Sequence, residues 1–226
     1  MLNVSCLHTA QSNIAVFEAA RRALRLDDVM LKHRVRSDLL LAAERTGRAT
    51  PEILAQTADE LVAVGSGAHA VLLTCSTLGP AVPLAALRLD IPVFRVDQAL
   101  AEEATRNGGL VVALCAVGTT IAPSRAIFEA AAMMNGATVE VRLVPGAWDL
   151  FKAQRERDYW QAIAEAADSA ADEGATVALT QASMAGAVGV ARSRPLASPT
   201  VGLAAIVAAG RAAAERRQRT EQAGLP

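Results

Sequence analysis

The sequence predicts an α/β protein with two pseudo-symmetric parallel-sheet domains, produced by an internal duplication, and two observations support this prediction. Residues 71–82 (VLLTCSTLGPAV) align without a gap with residues 177–188 (VALTQASMAGAV), and Val, Leu, Thr, Ala and Val recur at matching places. Short apolar runs also alternate with helical patterns along the chain, which favours parallel strands joined by right-handed crossovers. We therefore expect the active site in the cleft between the two domains.

Two further segments repeat in the same order. Residues 17–20 (FEAA) reappear at 128–131. Residues 91–97 have a counterpart in residues 194–199, and each of these two segments is followed by a predicted helix of small residues, over 98–107 and 200–210 respectively. Each half is therefore predicted to run β-α-β-α-β-α-β-α. The predicted first domain comprises residues 1–97 together with 198–226, and the second comprises residues 98–197.

The composition excludes several classes of protein. Aromatic residues make up 3% of the chain and the formal net charge is −1, so a stacking or basic surface for nucleic acid is not expected. The amino terminus leads directly into a strand pattern, and Gly and Pro residues divide the uncharged stretch 61–87, so neither a signal peptide nor a membrane partner is predicted. No spacing of the three cysteines resembles a zinc site. We expect a cytoplasmic protein with reduced thiols, no metal and no cofactor.

Candidate site residues follow the predicted strands, because ligands of parallel sheets bind at the carboxyl ends of the strands. Hydroxyl and amide groups dominate this set, and a nucleotide-binding glycine motif is missing from the sequence. The pattern favours a small carboxylate as the ligand; a homo-oligomer is left open. The candidates after the first and third strands are His8, Thr9, Ser12, Asn13, Cys75, Ser76 and Thr77, and those of the second half are Thr119, Thr120, Gln181 and Ser183.

Cys75 is the most reactive of these candidates. A thiol at a helix amino terminus has a lowered pKa, so the position predicts a thiolate near neutral pH that could transfer a proton or attack an electrophile. A structural cysteine is the alternative interpretation. The neighbouring hydroxyls of Thr74, Ser76 and Thr77 favour a functional one, since an inert core cysteine needs no hydrogen-bond donors.

The segment Thr74-Cys75-Ser76-Thr77 resembles the first cysteine motif of the aspartate/glutamate racemase superfamily, which includes hydantoin racemases, arylmalonate decarboxylase and maleate isomerase. The resemblance covers nearly the whole chain. It implies a cofactor-independent enzyme, an isomerase or a related decarboxylase, with substrate contacts at His8-Thr9 and Thr119-Thr120. Racemases of this group use two opposed cysteines, whereas Gln181 stands at the second position here, and an amide is neither an acid nor a base near neutral pH.

Three mechanisms therefore stay open, together with a non-catalytic alternative. In the first, Cys75 exchanges a proton at the α-carbon and His8 serves the opposite face. In the second, the substrate loses CO₂ and Cys75 protonates the resulting enediolate. In the third, Cys75 adds to an activated double bond, as maleate isomerase does. The alternative is a carboxylate-binding protein on the scaffold of an enzyme.

Two other residues carry structural expectations. Asp97 begins a predicted helix and is interpreted as its N-cap. Trp148 lies beside a charged stretch and is interpreted as a packing residue that could also shape the mouth of the cleft.

Overall fold

The computed structural model describes residues 1–223, and it contains two four-stranded parallel sheets with strand orders β2-β1-β3-β4 and β6-β5-β7-β8. The two orders are the same when the second half is numbered from its own first strand. This confirms the predicted α/β fold with two pseudo-symmetric domains.

Strands and helices alternate in both halves as predicted, with two differences: each half has two helices instead of one between its second and third strands, and a 3₁₀ turn replaces the helix between the third and fourth strands of the second half. The first half consists of β1 (Leu2–His8), α1 (Asn13–Ala23), β2 (Val29–Val35), α2 (Ser37–Thr46), α3 (Pro51–Gly65), β3 (Ala70–Leu73), α4 (Val82–Ala86), β4 (Val93–Arg95) and α5 (Val96–Thr105). The second half consists of β5 (Gly109–Cys115), α6 (Ile121–Asn135), β6 (Ala137–Leu143), α7 (Ala147–Lys152), α8 (Glu156–Asp172), β7 (Thr176–Leu179), β8 (Leu196–Ala197) and α9 (Ser198–Ala223).

The central strands of the two sheets end in the same way. Leu7 of β1 pairs with Leu73 of β3, and Leu114 of β5 pairs with Leu179 of β7. The residue that follows each of β3 and β7 continues the hydrogen-bond ladder. The N–H of Thr74 donates to the Leu7 carbonyl (3.0 Å), and the N–H of Thr180 donates to the Leu114 carbonyl (3.1 Å). Short 3₁₀ turns follow β3, β5 and β7 and carry the chain away from both sheet edges.

The last helix of each half packs on the sheet of the other half. Leu100 and Ala104 of α5 belong to the core around Val111 and Ala178, whereas Leu203 and Ile206 of α9 belong to the core around Leu2 and Val4. Apolar burial on both sheets therefore joins the halves. The exact division of the chain at residues 97/98 and 197/198 stays a prediction.

The uncharged stretch 61–87 is divided among α3, β3 and α4, as its Gly and Pro residues predict. Within residues 1–223, no helix combines the length and the apolar character needed to cross a bilayer.

Candidate active site

A small cavity of about 30 Å³ lies where the carboxyl ends of β1 and β3 meet those of β5 and β7. This volume is about the share of one water molecule in the liquid, so the cleft is narrow in this structure. Both halves of the chain contribute to its wall. The lining residues are Thr9, Ala10, Asn13, Leu40, Thr74, Cys75, Ser76, Thr77, Val117, Thr120, Trp148, Phe151, Gln181, Ala182 and Ser183.

The thiol of Cys75 lies just beyond the end of β3 and is 8% exposed. The Thr9 side chain and the backbone N–H groups of Leu78 and Thr77 lie near it and favour the thiolate. Burial has the larger effect, however, and raises the pKa of Cys75 above its ordinary value; the charge of Asp97 adds to this. The expectation of a lowered pKa is therefore wrong, because the sequence shows the donors but not the depth of burial.

Gln181 occupies the equivalent position in the second half. Its Oε1 accepts hydrogen bonds from the backbone N–H groups of Ala116 (2.5 Å) and Val117 (3.1 Å), and these two donors fix which end of the amide is the oxygen. Its Nε2 makes no hydrogen bond within the part of the chain that the structure describes. The amide therefore offers its NH₂ group as a donor to a ligand in the cavity.

Hydroxyl groups connect the two sheet edges across the cleft. The Ser76 hydroxyl donates to the Thr180 carbonyl (2.9 Å), and Thr77 Oγ1 lies 3.1 Å from Oγ1 of both Thr119 and Thr120. The Ser76 hydroxyl is therefore committed to the backbone, whereas the three threonines form a cluster in which each hydroxyl can reorient its proton.

Two buried polar atoms at the cavity have no hydrogen-bond partner among the described residues. They are Oδ1 of Asn13 and Nε1 of Trp148, and both residues line the cavity. An unpaired buried polar group costs about 1–3 kcal/mol, so native structures rarely contain one without a reason. A ligand with both donor and acceptor atoms would satisfy the pair. Trp148 therefore presents a hydrogen-bond donor at the cavity, in addition to the packing that the sequence predicts for it.

Large apolar side chains form part of the cavity wall. These are Leu40, Trp148 and Phe151, and the Trp148 and Phe151 rings stack with centroids 4.8 Å apart. Sequence reasoning missed Leu40 and Phe151, since both come from helices rather than strand ends. A usable signal was present in α7, where two aromatic residues follow the turn at Gly146, which has a φ of 71°.

Most of the predicted site residues meet at this cavity. Thr9, Asn13, Cys75, Ser76, Thr77, Thr120, Gln181 and Ser183 line it. Thr119 lies directly behind, in contact with Thr77. The Ser183 hydroxyl already pairs with the Tyr159 hydroxyl (2.9 Å). Ser12 is exposed, makes no side-chain cap for α1 and does not line the cavity.

His8 is not brought to the cavity. Its ring is fully buried, with Nδ1 2.8 Å from Thr74 Oγ1 and Nε2 2.8 Å from His33 Nδ1. Burial, and secondarily the charge of His33, lowers the pKa of His8 to about 3. A neutral ring with both nitrogens engaged and no surface in the cavity is badly placed to exchange a proton with a ligand there.

A buried ion pair supports the loop that carries Cys75. Nε and Nη2 of Arg95 bond to the two carboxylate oxygens of Asp97 at 2.6 and 2.7 Å. Nη2 also reaches the Ser76 carbonyl at 3.4 Å. The N-cap role predicted for Asp97 is therefore wrong: α5 begins after Arg95, and the carboxylate pairs with that side chain instead. A Cβ at Gly79 would overlap the guanidinium, so this glycine is required by close approach.

Solved racemase structures share this architecture. The chain is similar to an allantoin racemase from Pseudomonas fluorescens, with a TM-score of 0.63, 15% identity, and coverage of 93% of this chain and 91% of that one. It is similar to the Picrophilus torridus aspartate racemase, with a TM-score of 0.70, 11% identity, and coverage of 93% and 95%. A Bacillus anthracis glutamate racemase gives a TM-score of 0.62 at 17% identity, with coverage of 99% and 83%.

The chain has the aspartate/glutamate racemase fold. No protein-family model matches the sequence, and no curated protein matches it either. Identities of this size establish the fold alone, so the chemistry must be argued from the residues at the cleft. Within the racemase fold, Cys75 lies at the edge of one sheet and Gln181 at the edge of the other.

Proposed function

We propose that this chain is a cofactor-independent enzyme of the racemase superfamily that transfers a proton at the α-carbon of a small carboxylic acid, with Cys75 as the acid–base group. One observation carries the proposal. Among the described residues that line the cavity, Cys75 has the only side chain that can exchange a proton under ordinary conditions; the others are apolar, hydroxyl, amide or indole groups. Solved structures with this fold include racemases of allantoin, aspartate and glutamate.

The polar wall supplies donors for a carboxylate. The free NH₂ group of Gln181 and the unpaired Nε1–H of Trp148 are the two that lack partners, and the hydroxyls of Thr77 and Thr120 can turn toward a ligand. In a cavity this small, such donors stabilise the negative charge that accumulates on the carboxylate oxygens when the α-carbon loses a proton or CO₂. The proposed intermediate is an enediolate.

The proton chemistry is one-sided. In α-proton exchange, the Cys75 thiolate takes the proton from the α-carbon and the C–H electron pair moves into the enediolate; the thiol then exchanges its proton with solvent and delivers a solvent proton to the same face. The opposite face is served by Gln181, whose amide cannot act as an acid or a base. Two-thiol racemisation is therefore not expected.

Decarboxylation is the second candidate, and the neutral thiol favours it. The C–C bond to a carboxylate breaks, CO₂ leaves, and the electron pair enters the enediolate; Cys75 then donates its proton to the α-carbon and recovers one from solvent. This reaction needs one proton donor and no base. Burial raises the pKa of Cys75, so the resting group is the protonated thiol that this step requires.

The cavity wall also indicates the class of side chain on the substrate. No charged residue among those described lines the cavity, so neither an α-ammonium nor a distal carboxylate has a counter-charge there. Leu40, Trp148 and Phe151 provide an apolar wall instead. We expect an apolar or aryl substituent, and we expect the α7 aromatic pair to move outward on binding, because about 30 Å³ holds nothing larger than water.

The test is an NMR experiment in D₂O with the wild type, Cys75→Ala and the control Cys115→Ala. The substrates are aspartate, glutamate, hydantoins and 2-aryl- and 2-alkylmalonates. We expect cysteine-dependent incorporation of deuterium at the α-carbon, or CO₂ loss with deuterium on one face, and stronger activity on aryl than on amino acid substrates. Turnover that survives Cys75→Ala would refute the role of the thiol.

The same samples distinguish the non-catalytic alternative. If 2-arylcarboxylates bind to the wild type, shown by line broadening of their resonances, while no compound of the panel exchanges deuterium or loses CO₂, the chain is a carboxylate-binding protein. Binding should then be unaffected by Cys75→Ala and weakened by Gln181→Ala.

A further inference from the structure

A second group of reactive side chains lies on the face of the first sheet that packs against α1. Cys6 and His8 are two residues apart on β1 and therefore point to the same face, and His33 of β2 is the register partner of Cys6. The Cys6 sulfur and one ring nitrogen of each histidine all lie within 4.8 Å of one another. Cys6 and His8 are fully buried, and His33 is partly buried.

The hydrogen bonds around this cluster hold the outer nitrogen of each imidazole and direct the two inner nitrogens toward each other. The Thr74 hydroxyl donates to the Leu7 carbonyl (3.1 Å), so its oxygen accepts from Nδ1 of His8 (2.8 Å). Glu18 Oε1 accepts from Nε2 of His33 (3.3 Å). Nε2 of His8 and Nδ1 of His33, on the other sides of the two rings, then face each other 2.8 Å apart beside the Cys6 sulfur. Three atoms that can ligate a metal ion therefore converge at one place.

The fold does not require this cluster, as the second half shows. By the strand register, Ala113, Cys115 and Val141 occupy the positions of Cys6, His8 and His33. Apolar and weakly polar side chains therefore fill the same place in an otherwise equivalent sheet. Two buried imidazoles give up apolar packing that the second half keeps, which calls for a role beyond folding.

We propose that Cys6 Sγ, His8 Nε2 and His33 Nδ1 bind a divalent transition metal ion, Zn²⁺ in preference to Mg²⁺ or Ca²⁺. One thiolate and two imidazoles form a borderline-soft donor set that suits Zn²⁺, whereas the alkaline-earth ions require oxygen ligands. The outer nitrogens of both histidines are already held, by Thr74 and by Glu18, as the second shell of a metal site requires.

This proposal is independent of the proposed function, because the cluster does not line the cavity of Cys75. The site would bind β1 to β2 and fix Thr74, the residue before Cys75. Residues 6, 8 and 33 match no zinc spacing, so the prediction of no metal did not take them into account; only the pairing of β1 with β2 brings them together.

The test is a titration of the full chain with Co²⁺, which reports thiolate ligation by a charge-transfer band in the near ultraviolet. We expect a band that saturates at one Co²⁺ per chain and disappears when Zn²⁺ is added. Cys6→Ala and His33→Val introduce the residues of the second half, so folding should be retained while Co²⁺ affinity falls by at least about 100-fold. Cys75→Ala and Cys115→Ala are the matched controls and should keep the band.

Three outcomes would overturn the proposal: no band in the wild type with excess Co²⁺, a band that persists in both Cys6→Ala and His33→Val, or a band lost in Cys75→Ala. Circular dichroism checks that the variants are folded. If they are not, X-ray absorption of the Zn²⁺-loaded wild type decides, since one sulfur and two imidazole nitrogens are expected around the metal and any set without sulfur contradicts the assignment.

Discussion

In the first half of the molecule Thr74 is followed by Cys75, and in the second half the equivalent Thr180 is followed by Gln181. Both threonine hydroxyls donate to a leucine carbonyl, at 3.1 Å to Leu7 and at 2.9 Å to Leu114. The residues after them have different surroundings: the Cys75 sulfur lies near backbone N–H groups of its own loop, whereas the Gln181 oxygen accepts a hydrogen bond from Ala116, just beyond the end of the adjacent strand. The edge of the first sheet therefore has a side chain that can exchange a proton, whereas the edge of the second has only hydrogen-bond donors and acceptors.

The comparison extends to the support beneath each edge. The Arg95–Asp97 ion pair lies behind the Cys75 loop, whereas the equivalent positions in the second half are Ala197 and Pro199. The half with the reactive group is thus also the half that buries charges. A thiol whose protonation matters needs a fixed electrostatic environment, while an amide that only holds a ligand does not.

The largest expected effect is the loss of Cys75. Cys75→Ala should reduce the rate of α-deuteration or decarboxylation by about 10²–10⁴-fold, the usual contribution of general acid–base catalysis. Cys115→Ala is the control from the second half: its thiol is buried against Thr180 Oγ1 (3.3 Å) and does not line the cavity, so the rate should be unchanged. Equal losses in both variants would mean that the cysteines matter through packing rather than chemistry.

The second expected effect concerns the ion pair. Asp97 is fully buried and the Arg95 side chain is 11% exposed, so Asp97→Ala leaves an unpaired buried cation and should lower the free energy of unfolding by about 3–5 kcal/mol. Urea unfolding measures it. The double variant Arg95→Ala/Asp97→Ala removes both charges, as in the second half, and should recover part of the loss. A single variant that loses less than about 1 kcal/mol would show that the pair is not stabilising the loop.

The sequence predicted the shared scaffold well. A repeated apolar segment that ends in small polar residues indicates both that the strand is buried and that the polar residues lie at the carboxyl-end edge of the sheet. It predicted the position of Cys75 and Gln181 for the same reason. It could not place His8, whose ring is buried against Thr74 and His33, or Leu40 and Phe151, which reach the cavity from helices. The positions of these side chains depend on how the helices pack beside the sheet edge, and the periodicity of the sequence does not encode this packing.

The third expected effect is a difference in pH dependence. The pKa of His8 is about 3 in the folded chain against 6.5 in the unfolded chain, so between these values the unfolded state binds the additional proton. Stability should therefore fall as the pH falls below about 6.5, by about 2 kcal/mol at pH 5. His8→Cys introduces the residue of the second half and should abolish this slope. His33, Glu18 and Cys6 surround the ring and are unchanged in both proteins.

Denaturant unfolding at several pH values, without added metal, measures this effect. The difference between the unfolding free energies of the wild type and of His8→Cys at each pH gives the contribution of His8, because other titrating groups contribute equally to both curves. Parallel curves would show that His8 takes up a proton in the folded state.

The smallest change in stability, and the sharpest test of the comparison, comes from Gln181→Cys. The variant loses the two hydrogen bonds from Ala116 and Val117, at a cost of about 1–2 kcal/mol. It gains a thiol on the edge that faces Cys75. If Gln181 is what makes the chemistry one-sided, deuterium should now reach both faces of the α-carbon and the product should lose chirality. Gln181→Ala removes the same amide without adding a thiol, so it should slow turnover and leave the product's handedness intact. Chirality lost equally in both variants would mean that the amide had only been excluding water from the second face, and that the asymmetry of the site is one of access rather than of acid–base groups.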